Sequence, residues 1–248
     1  MARYSIEGDT LDRLATVLQT LGGCTEKLTP ELMIKQAEDK IALDKAFYES
    51  DEGAEFINPY ITYIGYRQFN NVAPIVSIKC KNVKTMGIQA MRYCSNLAYV
   101  ELPSLTLAQD GCFYGPNNVV SFDLEELVTT EKNAFRDCVN AKSFNLPKLK
   151  TVETTCFCGC TALSSISLPS ATYLGGGAFR DCNALEYVVL SGREVCTLGS
   201  HPFSSSTIGE SFRAFYVPDE LVSVYRATTN WTVYADYILP LSELEAEE

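Results

Sequence analysis

The chain of 248 residues contains one histidine and one tryptophan, and nowhere in it do 18 apolar residues follow one another. That last absence excludes a membrane-spanning helix, and no insertion into a membrane is expected. The phosphate-cradling pattern GxxxxGKS is missing as well, since Leu174-Gly-Gly-Gly177 reads as a turn with extra glycine. His201 lies in Gly199-Ser-His-Pro-Phe203, where the local sequence offers no carboxylate-histidine-nucleophile arrangement of the kind a Ser-His-Asp triad requires. Carboxylate pairs such as Glu125-Glu126 and Asp219-Glu220 read as solvated loop charges. No enzyme reading survives these absences, and neither catalytic residues nor a cofactor are expected.

Positive charge is also scarce: 20 Lys and Arg stand against 31 Asp and Glu, a net charge of -11. The imbalance is concentrated in residues 1–60, which hold 6 basic and 12 acidic side chains. Affinity for a phosphate backbone needs clustered Lys and Arg, so nucleic acid is not an expected partner. The first residues, Met-Ala-Arg-Tyr-Ser-Ile-Glu-Gly-Asp, carry no apolar run of the signal-peptide kind. The sequence as written is therefore expected not to be a secretory precursor. The protein would act inside a cell, leave by lysis as part of a virion, or come from a longer secreted protein.

What is present is a repeat. From Val72 to Phe203 the sequence matches itself in steps of 22 residues. Position 1 of the unit falls at Val72, Cys94, Pro116, Cys138, Cys160 and Cys182, and position 4 at Ile75, Leu97, Val119, Ala141, Leu163 and Leu185. Position 7 is Ile78, Val100, Phe122, Phe144, Ile166 and Val188; position 9 is Cys80, Leu102, Leu124, Leu146, Leu168 and Leu190. Near the end of each unit a small residue precedes Met91, Phe113, Phe135, Phe157 or Phe179. The alternation around positions 7 and 9 is that of a strand, and so short a unit cannot close a core of its own. The coils must stack, which places equivalent strands side by side in a parallel sheet.

The string CxxLxxIxLPxxxxLGxxAFxxC, here Cys160 to Cys182, resembles the BspA-like (treponemal-type) leucine-rich repeat of bacterial surface and phage-associated proteins. The resemblance covers about two thirds of the chain. It implies an α/β, right-handed leucine-rich-repeat solenoid with short parallel strands, serving as a ligand-binding or adhesive scaffold without catalysis. The repeat register also accounts for most of the ten cysteines. Cys94, Cys138, Cys160 and Cys182 share one slot, and Cys112 and Cys156 another, as small soft side chains suit a stacked interior. They are expected to be free thiols. Cys156-Phe-Cys158-Gly-Cys160 lacks zinc-knuckle spacing, and no metal is expected there.

The expected organisation is a helical hairpin over residues 1–49, the solenoid over 50–217 and a cap with an acidic tail over 218–248. In the hairpin, Leu11, Leu14, Ala15, Leu18 and Leu21 form one apolar stripe ended by Gly22-Gly23, and Thr29-Pro30-Glu31 starts a second helix. The pattern SIEGDTLDRLATVLQTLGG followed by KLTPELM resembles a module of tail-associated phage and prophage proteins of Gram-positive bacteria. A simple cap over the first coil is the plain alternative, because exposed solenoid ends need covering. Pro59, Ile64-Gly65 and Phe69 mark a degenerate first coil. At the other end, a short helix from Asp219 is expected to turn Leu221, Val224 and Tyr225 inward, with Trp231 as a buried plug. The stretch YVPDELVSVYRATTNWTVYADYI resembles the ending of many BspA-like proteins.

Positions 6 and 8 flank the buried position 7 and should point out of the open sheet face. They are Ser77, Tyr99, Ser121, Ser143, Ser165 and Tyr187, and Lys79, Glu101, Asp123, Asn145, Ser167 and Val189. A small, hydroxyl-rich face with tyrosines near both ends is the composition of an adaptable recognition surface, and it suits a protein or a surface glycan. The leading expectation is a non-catalytic recognition or adhesion protein of a phage or prophage tail. Its hairpin would dock to virion proteins, with a homo-oligomer plausible on a symmetric particle. A bacterial cell-surface or secreted adhesin and a purely structural virion component are the alternatives.

Overall fold

A computed structural model describes residues 54–203 and 212–246. The expected hairpin over residues 1–49 and the serine-rich loop at residues 204–206 lie outside the described residues. Eight coils follow one another, each entered by a strand on one side. These strands are β1 (Ala54–Ile57), β3 (Ile75–Lys79), β5 (Tyr99–Glu101), β7 (Ser121–Asp123), β9 (Ser143–Asn145), β11 (Ser165–Ser167), β13 (Tyr187–Val189) and β15 (Ala214–Val217). A two-residue strand follows on the second side of seven coils: β2 (Tyr63–Ile64), β4 (Thr85–Met86), β6 (Leu107–Ala108), β8 (Thr129–Thr130), β10 (Thr151–Val152), β12 (Tyr173–Leu174) and β14 (Thr197–Leu198). All pairings are parallel, and in the regular coils the partner lies 22 residues on, as in Ile166↔Val188 and Val152↔Leu174. The described coils contain no helix, so the α/β label expected from the repeat applies only through the C-terminal cap.

The third side of each coil is a tight turn. Its conformation was not legible in the residue types. Position 18 adopts positive φ at Gln89, Gly111, Asn133, Thr155 and Gly177, and position 22 does so at Tyr93, Gly115, Asp137, Gly159 and Asp181. This geometry aims alternate amides at the next coil: Asn133 N–H donates to the Thr154 carbonyl (3.1 Å), Phe135 to Cys156 (2.9 Å) and Asp137 to Cys158 (2.8 Å). Left-handed backbone in so many non-glycine residues costs energy, and the ladder it makes possible supplies the compensation. Gly159 is special among them, because a Cβ there would overlap Asp137 Oδ1.

Inside, equal slots stack on equal slots. Phe113, Phe135, Phe157, Phe179 and Phe203 form a column with successive ring centroids 5.6, 5.5, 5.3 and 5.3 Å apart and rings near parallel. Phe122 and Phe144 meet this column edge-on, the favoured aromatic geometry. The position-1 thiols have a definite role. Cys94, Cys138, Cys160 and Cys182 donate to the carbonyls of Phe69, Phe113, Phe135 and Phe157, 25 residues earlier, at 2.9–3.3 Å. The nine described cysteines are free and buried. Burial pushes the thiol of Cys80 up to about 11 and those of Cys94, Cys156 and Cys196 up to about 12. Such thiols carry no thiolate at neutral pH and are unreactive.

The last coil is closed by α1 (Val222–Ala227), a 3-10 turn over Thr232–Tyr237, β16 (Ile238–Pro240) and α2 (Leu241–Glu245). Trp231 is buried against Phe215 and Tyr225, at ring distances of 5.2 and 5.0 Å, and its Nε1–H donates to the Cys196 carbonyl (2.6 Å). In return the Cys196 N–H donates to Tyr225 Oη (2.9 Å), and burial lifts that phenol to about 12. The expected inward face of α1 needs one correction. Val224 is exposed, and Val222 packs against the core with Leu221 and Tyr225, because the helix starts only at Val222 after a 3-10 turn over Asp219–Leu221 that shifts its phase.

Candidate recognition face

Strand alternation sends positions 6 and 8 outward along the long-strand side, but the three parts of that side end up differently. In the middle, Ser121, Asp123, Ser143, Asn145 and Ser167 are exposed and Ser165 is half-buried. Asn145 Nδ2–H donates to Asp123 Oδ1 (2.7 Å) and reaches Glu125 Oε1 (3.4 Å), so neighbouring coils are tied across the face. These residues share one surface.

At the C-terminal end the expected face is covered. Val189 is buried with Ala214 and Tyr216, and Leu239, Leu241 and Leu244 pack over them. Tyr187 is half-buried in the same cluster, edge-on to Tyr216 at 5.7 Å. The reason lies outside the repeat, in α2 folding back across the strands. At the N-terminal end Ser77 is also buried, donating to Glu55 Oε1 (3.0 Å), which accepts from Lys79 Nζ as well (2.9 Å). The Lys79 hydrogen bond, and then that from Ser77, hold the Glu55 carboxyl below the usual carboxylate range.

Between these ends the sheet is interrupted. Its strands form three groups, β1-β3-β5, β7-β9 and β11-β13-β15-β16, whereas the short strands make one sheet of seven. Among the described residues no backbone hydrogen bond joins β5 to β7. A cleft of ≈ 510 Å³ opens there, lined by Tyr99, Val100, Glu101, Asn118, Val120 and Asp123 among others. Val100, a position-7 residue expected inside, is only partly buried at its floor. The spacing does not mark out Asn118 and Val120. The available signal was Pro116, which replaces the position-1 cysteine just ahead of β7 and can offer neither a thiol nor an N–H to its neighbours.

The remaining chemistry is sparse. Ser200 Oγ lies 2.9 Å from His201 Nδ1, on an exposed turn. Among the described residues no group of three His, Cys, Asp or Glu side chains is placed to hold a metal ion, and no helix is long and apolar enough to cross a membrane.

A family model described as the BspA type leucine rich repeat region matches residues 40–138 and 128–224, in six copies. Among solved structures, a leucine-rich-repeat protein of T. pallidum is similar over 70% of this chain and 82% of its own, at 19% identity and a TM-score of 0.55. The pneumococcal vaccine antigen PcpA is similar over 78% of this chain and 40% of its own, at 16% identity and a TM-score of 0.45. A leucine-rich-repeat protein from Bacteroides ovatus is similar over 68% and 64%, at 17% identity and a TM-score of 0.38. The chain thus spans most of the treponemal protein but less than two thirds of the other two. No curated protein matches the sequence significantly.

Proposed function

The chain belongs to the BspA-type leucine-rich-repeat family, and from that premise we propose that it is a non-catalytic recognition protein whose long-strand face binds a protein or a surface glycan. The observation that carries this reading is the run of outward side chains from Tyr99 and Glu101 through Ser121 and Asp123 to Asn145 and Ser167, exposed on consecutive coils. A solenoid turns such a register into a surface longer than any one coil could offer. We place the protein in a phage or prophage tail, with residues 1–49 docking it to other virion proteins. This placement is supported by the likeness of Ile6, Gly8, Thr10, Leu11, Leu14, Leu28, Thr29, Pro30 and Met33 to a tail-associated module. Nucleic acid is not among its partners on this reading, given the net charge of -11.

The test uses the full chain. Labelled protein is added to isolated envelopes of the host cell, alongside a variant carrying Ser143→Arg and Asn145→Arg, two bulky cations on the open face. Binding by the wild type and its loss in the variant is the expected result; equal binding by both overturns the face assignment. Immunoelectron microscopy then decides the location, since label on particle tails supports the virion placement and label on the cell envelope alone supports an adhesin.

A further inference from the structure

The outward ladder at position 8 is complementary at two of its steps. Lys79 stands opposite Glu101 in the β3–β5 register, and Asp123 opposite Asn145 in the β7–β9 register. Between those pairs, Glu101 is followed directly by Asp123 on the next coil. Like charges on adjacent strands repel, and this step coincides with the cleft and with the first of the two breaks in the long-strand sheet, that between β5 and β7. Lys79, one coil before, already donates to Glu55. Among the described residues neither Glu101 nor Asp123 has an ion-pair partner within 4 Å.

The rest of the cleft mixes apolar and aromatic side chains, Tyr99, Val100 and Val120, with Asn118, Ser121 and the Lys79–Glu55 pair. The Tyr99 ring is 69% exposed and Val120 is 52% exposed, both on the rim beside the two carboxylates. Tyr187, the equivalent of Tyr99 four coils on, is covered by the C-terminal segment, so an exposed tyrosine is not simply what this register produces. A neutral ligand would leave the excess of Glu55, Glu101 and Asp123 over the single Lys79 unbalanced. A cation on an apolar stem answers every feature at once: its head sits between the carboxylates, its stem crosses Val120, and the face of Tyr99 attracts its charge.

We propose that this cleft receives a lysine or arginine side chain from an extended segment of a partner protein. The segment lies across the open face over β5 and β7, and the cation sits between Glu101 and Asp123 against Tyr99. The inference rests on the long-strand face being a recognition surface and names the chemistry of its partner.

The experiment measures fluorescence anisotropy of the peptide acetyl-Ser-Thr-Arg-Thr-Val-amide, and of its Arg→Glu counterpart, with the full chain at low and at moderate salt. Three proteins are compared: wild type, the double variant Glu101→Gln with Asp123→Asn, and a control carrying Glu194→Gln with Glu220→Gln, which removes the same charge from exposed sites elsewhere. The expected result is preference for the arginine peptide by wild type and control, weakened at least about tenfold in the cleft variant. Equal weakening in both variants, or no discrimination between the peptides, overturns the proposal. Host-envelope binding separates this failure from that of the broader reading. If Ser143→Arg with Asn145→Arg abolishes it while the cleft variant binds like wild type, the cation site is wrong and the recognition face stands.

Discussion

The two sides of each coil obey the same 22-residue period, yet one is continuous and the other is not. The short strands from β2 to β14 form an unbroken sheet of seven, while the long strands fall into three groups. On the continuous side the outward groups serve their neighbours: Thr106 and Thr172 hydroxyls donate to the carbonyls of Lys84 and Lys150, one coil back. The turn side is closed in the same spirit. There the Arg92 guanidinium lies over the rings of Tyr93 and Tyr114, at 4.6 and 4.8 Å, and that of Arg136 over Tyr114 at 5.3 Å. Alternating cation and ring makes a stacked column without like-charge contact. On the long-strand side the ladder fails twice, where Glu101 stands next to Asp123 and where Asn145 stands next to Ser167. Like charge accompanies only the first of these breaks, the one that carries the cleft, and such a lapse is where a solenoid can acquire a binding site.

Both sides share one interior, so the largest effect comes from the groups buried in it. Folded thiols at Cys94, Cys156 and Cys196 are raised to about 12, and Tyr225 to about 12, in each case by burial. An unfolded thiol ionises near 9. The stability these groups contribute is complete below that value and is lost as pH rises from about 9 towards 12, because only the unfolded chain can release its protons. Thermal melts over this range should show a steep fall in Tm, with cooperative unfolding before pH 12. A flat profile would mean that the position-1 and position-19 thiols are wetter than the stack implies.

Next in size is Ile166→Asp, which places a carboxylate among stacked apolar side chains and should cost more than about 4 kcal/mol. Tyr99→Ala, on the open rim, should change stability by less than about 0.5 kcal/mol. Denaturant titrations of the pair check whether inward and outward positions are assigned correctly, and similar losses in both would contradict the register.

The parts of this architecture that repeat were legible in the sequence, because an interior made by stacking equal slots demands equal residues. Ile166, Leu168 and Phe179 could be placed by counting in steps of 22, and so could the outward Ser121, Ser143 and Asn145. What depends on elements outside the period was not legible. Val189 and Tyr187 obey the alternation, and nothing in them announces that Leu241 and Leu244 will cover them. The left-handed turns at Thr155 and Asp137 carry no glycine to signal them. The break beside β5 also looks regular, since Leu97, Val100 and Leu102 keep their slots and only Pro116 departs from the pattern.

Smaller effects test the turn column. Gly159 has φ 76°, and an added Cβ would overlap Asp137 Oδ1, whereas at Gly177, φ 60°, the nearest atom is Thr155 Cγ2 at 3.4 Å. Gly159→Ala should therefore cost about 2–3 kcal/mol, and Gly177→Ala only about 1 kcal/mol, the conformational part alone. Equal costs would show that the Asp137 side chain swings away freely and that the closed side is looser than its hydrogen bonds imply.

The smallest effect is the one that sharpens the comparison most. Asp123→Asn removes the like charge facing Glu101 while leaving the Asn145 amide an oxygen to donate to, and it does not touch the Lys79–Glu101 pairing. Relief of an exposed like-charge step should raise stability by about 0.2–1 kcal/mol at low ionic strength, with the gain shrinking as salt is added. The same substitution should slow amide exchange across β5 and β7 and leave exchange in the short-strand sheet unchanged. If stability and exchange are both unmoved, repulsion is not what parts the strands, and the cause lies in Pro116, whose replacement by cysteine would then close the gap. If the gain appears, the face trades a fraction of its ladder energy for an acidic opening.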